Sequence, residues 1–103
     1  RAQQFIKQNY ARDLSLEEVA ASINLVPAYF SRLFSQITGA SFINYLTDLR
    51  IQRAKELLQG TDDQIKAISE TVGYSNIYYF SRVFKNKTGL TPVEYRRQTR
   101  ATS

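Results

Sequence analysis

With no cysteine and no histidine in the sequence, the groups left to do chemistry are carboxylates, lysines, arginines, hydroxyls and phenols. Thiolate and imidazole metal sites, disulfides and His-based triads are excluded. A carboxylate or lysine mechanism needs a separated pair of acids in an apolar setting that raises one pKa, and no such pair is present. Neither an enzyme nor a bound metal or cofactor is therefore expected. What recurs instead is a cluster of hydrogen-bonding and cationic side chains. Tyr29-Phe30-Ser31-Arg32-Leu33-Phe34 returns as Tyr79-Phe80-Ser81-Arg82-Val83-Phe84, and positions 29–45 and 79–95 are identical at eight of seventeen places.

On a helix that buries Phe30, Leu33, Phe34 and Ile37, the opposite arc presents Ala28, Ser31, Arg32 and Ser35, with Tyr29 and Gln36 at its edges. The second copy presents Tyr78, Ser81, Arg82 and Lys85. Both arcs start with short side chains or a phenol, carry an arginine one turn in and contain no acid, which suits entry into a DNA major groove. Arg32 and Arg82 can each fork onto O6 and N7 of guanine, bind a phosphate, or simply solvate a helix surface. Ser31 and Ser81 can meet either a base or a phosphate. Ala28 suits a thymine methyl under close docking, and the Tyr78 ring suits sugar or the same methyl. Tyr29 and Tyr79 read first as rings completing a small core with a wet hydroxyl.

Tyr29, Ser35 and Gln36 are also candidate phosphate contacts, as are Lys85, Lys87 and Arg96; for Arg96, Arg97 and Arg100 a solvated basic face is the competing reading. Helix starts at Ser15, Ser41 and Thr91 can aim backbone amides at phosphates. Arg50 and Arg53 are expected to pair with acids such as Asp48 or Glu56. The net charge of +5 lies wholly in the second half: residues 1–49 hold four basic and four acidic side chains, residues 50–103 ten and five. The halves should therefore bind a polyanion unequally.

The elements that must position these arcs fit a 103-residue, 11.9 kDa chain with 43% apolar residues, Gly 4 and Pro 2, a composition that favours helix in one ordinary domain or two very small ones. A first helix reads from Ala2 to Tyr10, interrupted at Asp13 and Ser15. Ser15 and Glu18 form a capping box for a helix from Leu16 to Ile23, and Asn24 suits a left-handed turn. Pro27 opens the next helix and Gly39 closes it. A segment of about eighteen residues, roughly 27 Å as helix, runs from Ser41 to Gly60. Ile65, Ile68 and Val72 with Gly73 repeat the plan, Asn76 caps the helix ending at Gly89, and Thr91-Pro92-Val93-Glu94 starts a last helix to about Gln98.

Upstream of the repeat the offset becomes 49, pairing Val19 with Ile68 and Ile23 with Val72, so the second turn holds one extra residue. A duplicated helix-turn-helix explains both offsets: a first subdomain over 1–40, a linker helix over 41–59 and a second subdomain over 60–103. A stiff bridge of that length can set two reading helices about one DNA turn apart. Two successive major grooves would then be read as unlike half-sites, with DNA bending where the spacings disagree. The competing readings are a helical protein-interaction module without specific DNA readout, and non-specific DNA packaging. No signal peptide or membrane span is apparent, which makes the cytoplasm the default expectation. With no Met, Arg1 is expected to begin a domain of a longer protein.

The sequence resembles the DNA-binding domain of the AraC/XylS family of bacterial transcription regulators from about Phe5 to Arg97. The similarity is carried by Val72-Gly73-Tyr74-Ser75-Asn76, Tyr79 to Lys85, Thr88-Gly89-Leu90-Thr91-Pro92 and Glu94-Tyr95-Arg96, with Leu49-Arg50-Ile51, Ala54 and Leu57-Leu58 in the linker helix. The resemblance implies an all-α domain of seven helices, two helix-turn-helix units on a long linker helix, binding double-stranded promoter DNA and usually activating transcription. It implies base contacts from Ala28, Ser31 and Arg32 in the third helix and from Ile77, Tyr78, Ser81 and Arg82 near DNA in the sixth. It also implies a contact with RNA polymerase, without assigning residues, and an N-terminal sensory or receiver domain in the parent protein. Val26 stands where the family favours a capping Ser, and Ser69 where it usually has Ala.

Overall fold

The computed structural model describes residues 2–12 and 14–101; the interruption expected at Asp13 lies outside them. The described residues form seven helices and no strand: α1 (Ala2–Asn9), α2 (Leu16–Ser22), α3 (Pro27–Thr38), α4 (Phe42–Gly60), α5 (Ile65–Thr71), α6 (Ile77–Thr88) and α7 (Pro92–Ala101). Two compact units divide the chain, Arg1–Leu49 and Arg50–Ser103, with the boundary inside α4.

In the first unit α1 packs on α2 and α2 on α3. Ile6, Val19, Ala20, Phe30 and Phe34 make the core, joined by Phe42 and Leu46 from the first turns of α4. The Phe34 ring meets Tyr45 edge-on with centroids 5.2 Å apart, the arrangement that the ring quadrupoles favour. In the second unit α5 packs on α6 and α6 on α7, and Ile51, Ala54, Leu58, Ile68, Val72, Phe80 and Phe84 are buried. Phe84 meets Tyr95 edge-on at 5.4 Å, the counterpart of the Phe34–Tyr45 pair.

The duplication holds at the level of single hydrogen bonds. The turn between α2 and α3 covers 23–26 and that between α5 and α6 covers 72–76, one residue longer. At equivalent places Asn24 (φ 59°) and Gly73 (φ 108°) are left-handed, a region in which most L-residues are strained and which Gly and Asn enter most cheaply. Leu25 N donates to Ala20 O and Tyr74 N to Ser69 O, each at 2.9 Å. At the far end, Thr38 Oγ1 donates to Phe34 O (2.7 Å) and Thr88 Oγ1 to Phe84 O (2.8 Å), while the same hydroxyls accept from Ala40 N and Leu90 N. Each threonine thus ties the last turn of its helix to the chain beyond Gly39 or Gly89. Ser69 departs from its counterpart Ala20: its buried hydroxyl finds a partner by donating to Tyr74 O at 2.8 Å.

The caps follow the sequence with one difference, at Glu18. Asn76 Oδ1 accepts from Tyr78 N and Tyr79 N, and Ser15 Oγ accepts from Glu18 N. Glu18 does not complete its capping box; its carboxylate pairs with Arg12 at 2.6 Å. Val26 leaves α3 without a side-chain cap and is 68% exposed, so a serine there removes little packing and supplies a missing acceptor. Val26→Ser is expected to stabilise the first unit by a few tenths to about 1 kcal/mol; an unchanged or lower urea midpoint would count against that.

Thr91 and Glu94 form the full reciprocal box on α7, with Thr91 N donating to Glu94 Oε1 (2.9 Å) and Glu94 N to Thr91 Oγ1 (3.2 Å). Hydrogen bonds from the Thr91 backbone and then its side chain hold the Glu94 carboxyl below the usual carboxylate range against an opposing desolvation, with lesser help from the charges of Lys85 and Arg97. A carboxyl more acidic when folded than when unfolded stabilises the fold at neutral pH, and that share disappears as pH falls through the folded value. Acid titration of stability should therefore be shallower in Glu94→Gln than in the parent below the usual carboxylate range. Parallel curves would show that Glu94 adds no pH dependence.

Candidate nucleic-acid interface

α3 and α6 each bury one face and leave the other to solvent. Phe30 and Phe34 are buried on α3, Phe80 and Phe84 on α6. The α3 arc is exposed at Ala28, Tyr29, Ser31, Arg32, Ser35 and Gln36. On α6, Tyr78 is 80% exposed and Arg82, Lys85 and Lys87 are exposed, whereas Ile77 and Ser81 are half-buried. Neither helix contains an acid.

The arginines divide by what they touch. Arg53 pairs with Glu56 at 2.9 Å, as expected. Arg50 lies over the Tyr74 ring, 5.3 Å from its centroid, a cation–π contact. Arg96 Nε donates to Leu58 O (3.1 Å) and its Nη2 to Thr61 O (3.0 Å). Its guanidinium thus satisfies carbonyls at the end of α4, where a helix leaves them without partners. These bonds commit two of its five N–H donors to carbonyls 38 and 35 residues away in sequence, which sets Arg96 apart from the unpartnered arginines as a candidate phosphate contact. Arg100 pairs with Asp62 at 2.8 Å and also donates to Thr61 O. Among the described residues, Arg32 and Arg82 have neither a hydrogen bond nor an ion pair. These two exposed cations stand at matching places on the two repeats.

Two core expectations fail. Ile37 is 71% exposed, since Phe42 and Tyr45 of α4 already close the core around Phe34. Tyr29 and Tyr79 are 52% and 54% exposed; Tyr79 only leans on Tyr74, with centroids 5.8 Å apart. Both tyrosines are accessible to a partner. The helix-start candidates differ among themselves. Glu17 and Glu18 occupy the first turn after Ser15 and Glu94 the first turn after Thr91, which disfavours an anion there, but the first turn of α4 after Ser41 has no acid. Each of the three hydroxyls accepts a backbone N–H of its own helix start.

This architecture, two copies of a helix pair whose second member is acid-free and outwardly cationic, has a counterpart among known proteins. A family model described as a helix-turn-helix domain matches residues 19–98. The chain belongs to the AraC/XylS family. The HTH-type transcriptional regulator YijO of Escherichia coli K12 is 37% identical over 94 residues, covering 91% of this chain and 33% of that protein. The C-terminal domain of AraT, a response regulator from Geobacillus stearothermophilus, is 44% identical with a TM-score of 0.91, covering 95% of this chain and 82% of that one. The DNA-binding domain of the global transcriptional factor AdpA, solved in complex with a target DNA, shares the fold at a TM-score of 0.92 and 22% identity, covering 98% and 91%. The AraC/XylS chain spans about a third of the length of the curated relatives it matches. These relatives are transcription regulators rather than enzymes. Among the described residues no helix is long and apolar enough to cross a membrane.

Proposed function

We propose that this AraC/XylS domain binds double-stranded promoter DNA in a sequence-specific manner, with α3 and α6 as reading helices in successive major grooves of an asymmetric site. The observation that carries the reading is the pair Arg32 and Arg82, exposed, unpartnered and equivalent on two acid-free helix faces. Base contacts come from Ala28, Ser31 and Arg32 on α3, and from Ile77, Tyr78, Ser81 and Arg82 on α6. Lys85, Lys87, Tyr29, Ser35 and the helix start at Ser41 serve as phosphate contacts, with Ser15 and Thr91 weaker because acids follow them. Arg96 acts as an internal brace. The two arcs differ at Ala28 against Tyr78 and at Ser35 against Lys85, so the half-sites differ too.

In the parent protein this binding regulates transcription in the cytoplasm. An N-terminal sensory or receiver domain controls it, as the response-regulator description of AraT suggests, and RNA polymerase is a further partner. The protein-interaction reading is favoured by one feature, a groove of about 410 Å³ in the first unit lined by Ile23, Leu33, Ile37 and neighbours, but that feature leaves the two cationic arcs without a role.

Selection from a random duplex library by the purified domain, followed by footprinting at several salt concentrations, tests the proposal. It predicts an enriched asymmetric motif, protection of two adjacent major-groove segments, and affinity that falls steeply as salt rises. Failure to enrich any motif would refute specific readout, and protection of one short segment would refute the two-groove arrangement.

A further inference from the structure

Resting on that reading, we infer that Gln36 is a specificity residue that recognises adenine, one helical turn beyond Arg32 on the same face of α3. Residues four apart on a helix are surface neighbours, and both side chains are exposed. Among the described residues no hydrogen bond engages the Gln36 amide or the Arg32 guanidinium. Their separation along the helix is about 6 Å, close to two base-pair steps of 3.4 Å. A carboxamide matches adenine in particular, because its carbonyl accepts from N6 while its NH₂ donates to N7. On a phosphate the same group brings no charge and uses only its donor half, so it gains nothing from counterion release.

The internal repeat supplies an independent argument. The residue equivalent to Gln36 on α6 is Asn86, also exposed and without a hydrogen bond among the described residues. On either side the copies have diverged, Ser35 against Lys85 and Ile37 against Lys87, yet between them both helices keep a carboxamide one turn past the arginine. Gln and Asn are the two side chains that pair with adenine in this way. The arginine and amide together specify a guanine and an adenine about two base pairs apart.

Random-duplex selection with the parent domain and with Gln36→Ala tests the inference. The position is exposed and alanine favours helix, so the variant keeps the fold, and circular dichroism checks this directly. The parent should select a guanine with an adenine about two pairs away, and the variant should keep the guanine and become indifferent at the adenine. Affinity of the variant should drop about 5- to 150-fold on the parent's best site and hardly at all on a site with that adenine replaced. An unchanged motif, a parent motif lacking that adenine, or an equal loss on every duplex would each overturn the assignment, the last making Gln36 a backbone contact. A parent domain that selects no motif would instead overturn the proposed function on which the inference rests.

Discussion

Phe84→Ala is expected to destabilise the second unit by about 3–5 kcal/mol, the usual cost of emptying a fully buried phenylalanine site. The ring is completely inaccessible and lies between Phe80, at 5.9 Å, and the edge of Tyr95, at 5.4 Å. Both neighbours are held by other contacts, so neither is free to collapse into the void. Small domains hold only roughly 0.05–0.15 kcal/mol per residue, so a loss of this size consumes most of the stability available to a unit spanning Arg50–Ser103. Urea unfolding followed by tyrosine fluorescence measures it, and a shift worth less than about 1 kcal/mol would show that the site is far more plastic than its packing indicates. The milder Phe84→Leu should fall well short of the alanine loss.

Arg32→Ala should cost about 1–3 kcal/mol of DNA binding at its preferred base pair and relax specificity there, while leaving stability nearly unchanged. The side chain is exposed and unpartnered among the described residues, so its removal breaks nothing inside the protein. Lys85→Ala provides the contrast: its loss should be spread evenly over all sequences and should reduce the salt slope by about one. Competition binding with the selected duplex and a scrambled duplex separates the two behaviours. Equal losses of Arg32→Ala on both duplexes would make Arg32 a phosphate contact.

Much of the fold was legible because its signals are local. The caps at Ser15, Asn76 and Thr91, the left-handed Asn24 and the terminators Gly39 and Gly89 are set by nearest neighbours, and the structure places each where the sequence implies. What was not legible depends on contacts distant in sequence. Helical spacing put Ile37 inward, but spacing says nothing about how far a neighbouring element extends, and the core closes before that turn. One signal was present: its repeat partner is Lys87, a residue type seldom buried. Arg96 stands in a basic run that reads as a surface for phosphate, and no local pattern reveals that Leu58 and Thr61 offer carbonyls to it. Arg50 also covers the ring of Tyr74, which comes from beyond α5 and which no spacing along α4 reveals. At the candidate interface, spacing alone identified both arcs, but only side-chain hydrogen bonds could distinguish the free Arg32 and Arg82 from the occupied Arg96.

The threonine brackets at Thr38 and Thr88 fasten α3 and α6 each to its own exit loop without using an outward side chain. Under the proposed readout, changes of operator preference can therefore accumulate one substitution at a time on either surface while these brackets stay in place. Duplicate heads built in this way can acquire different tastes in sequence without any intermediate that has lost its structure, which gives the architecture a simple route to new regulatory targets.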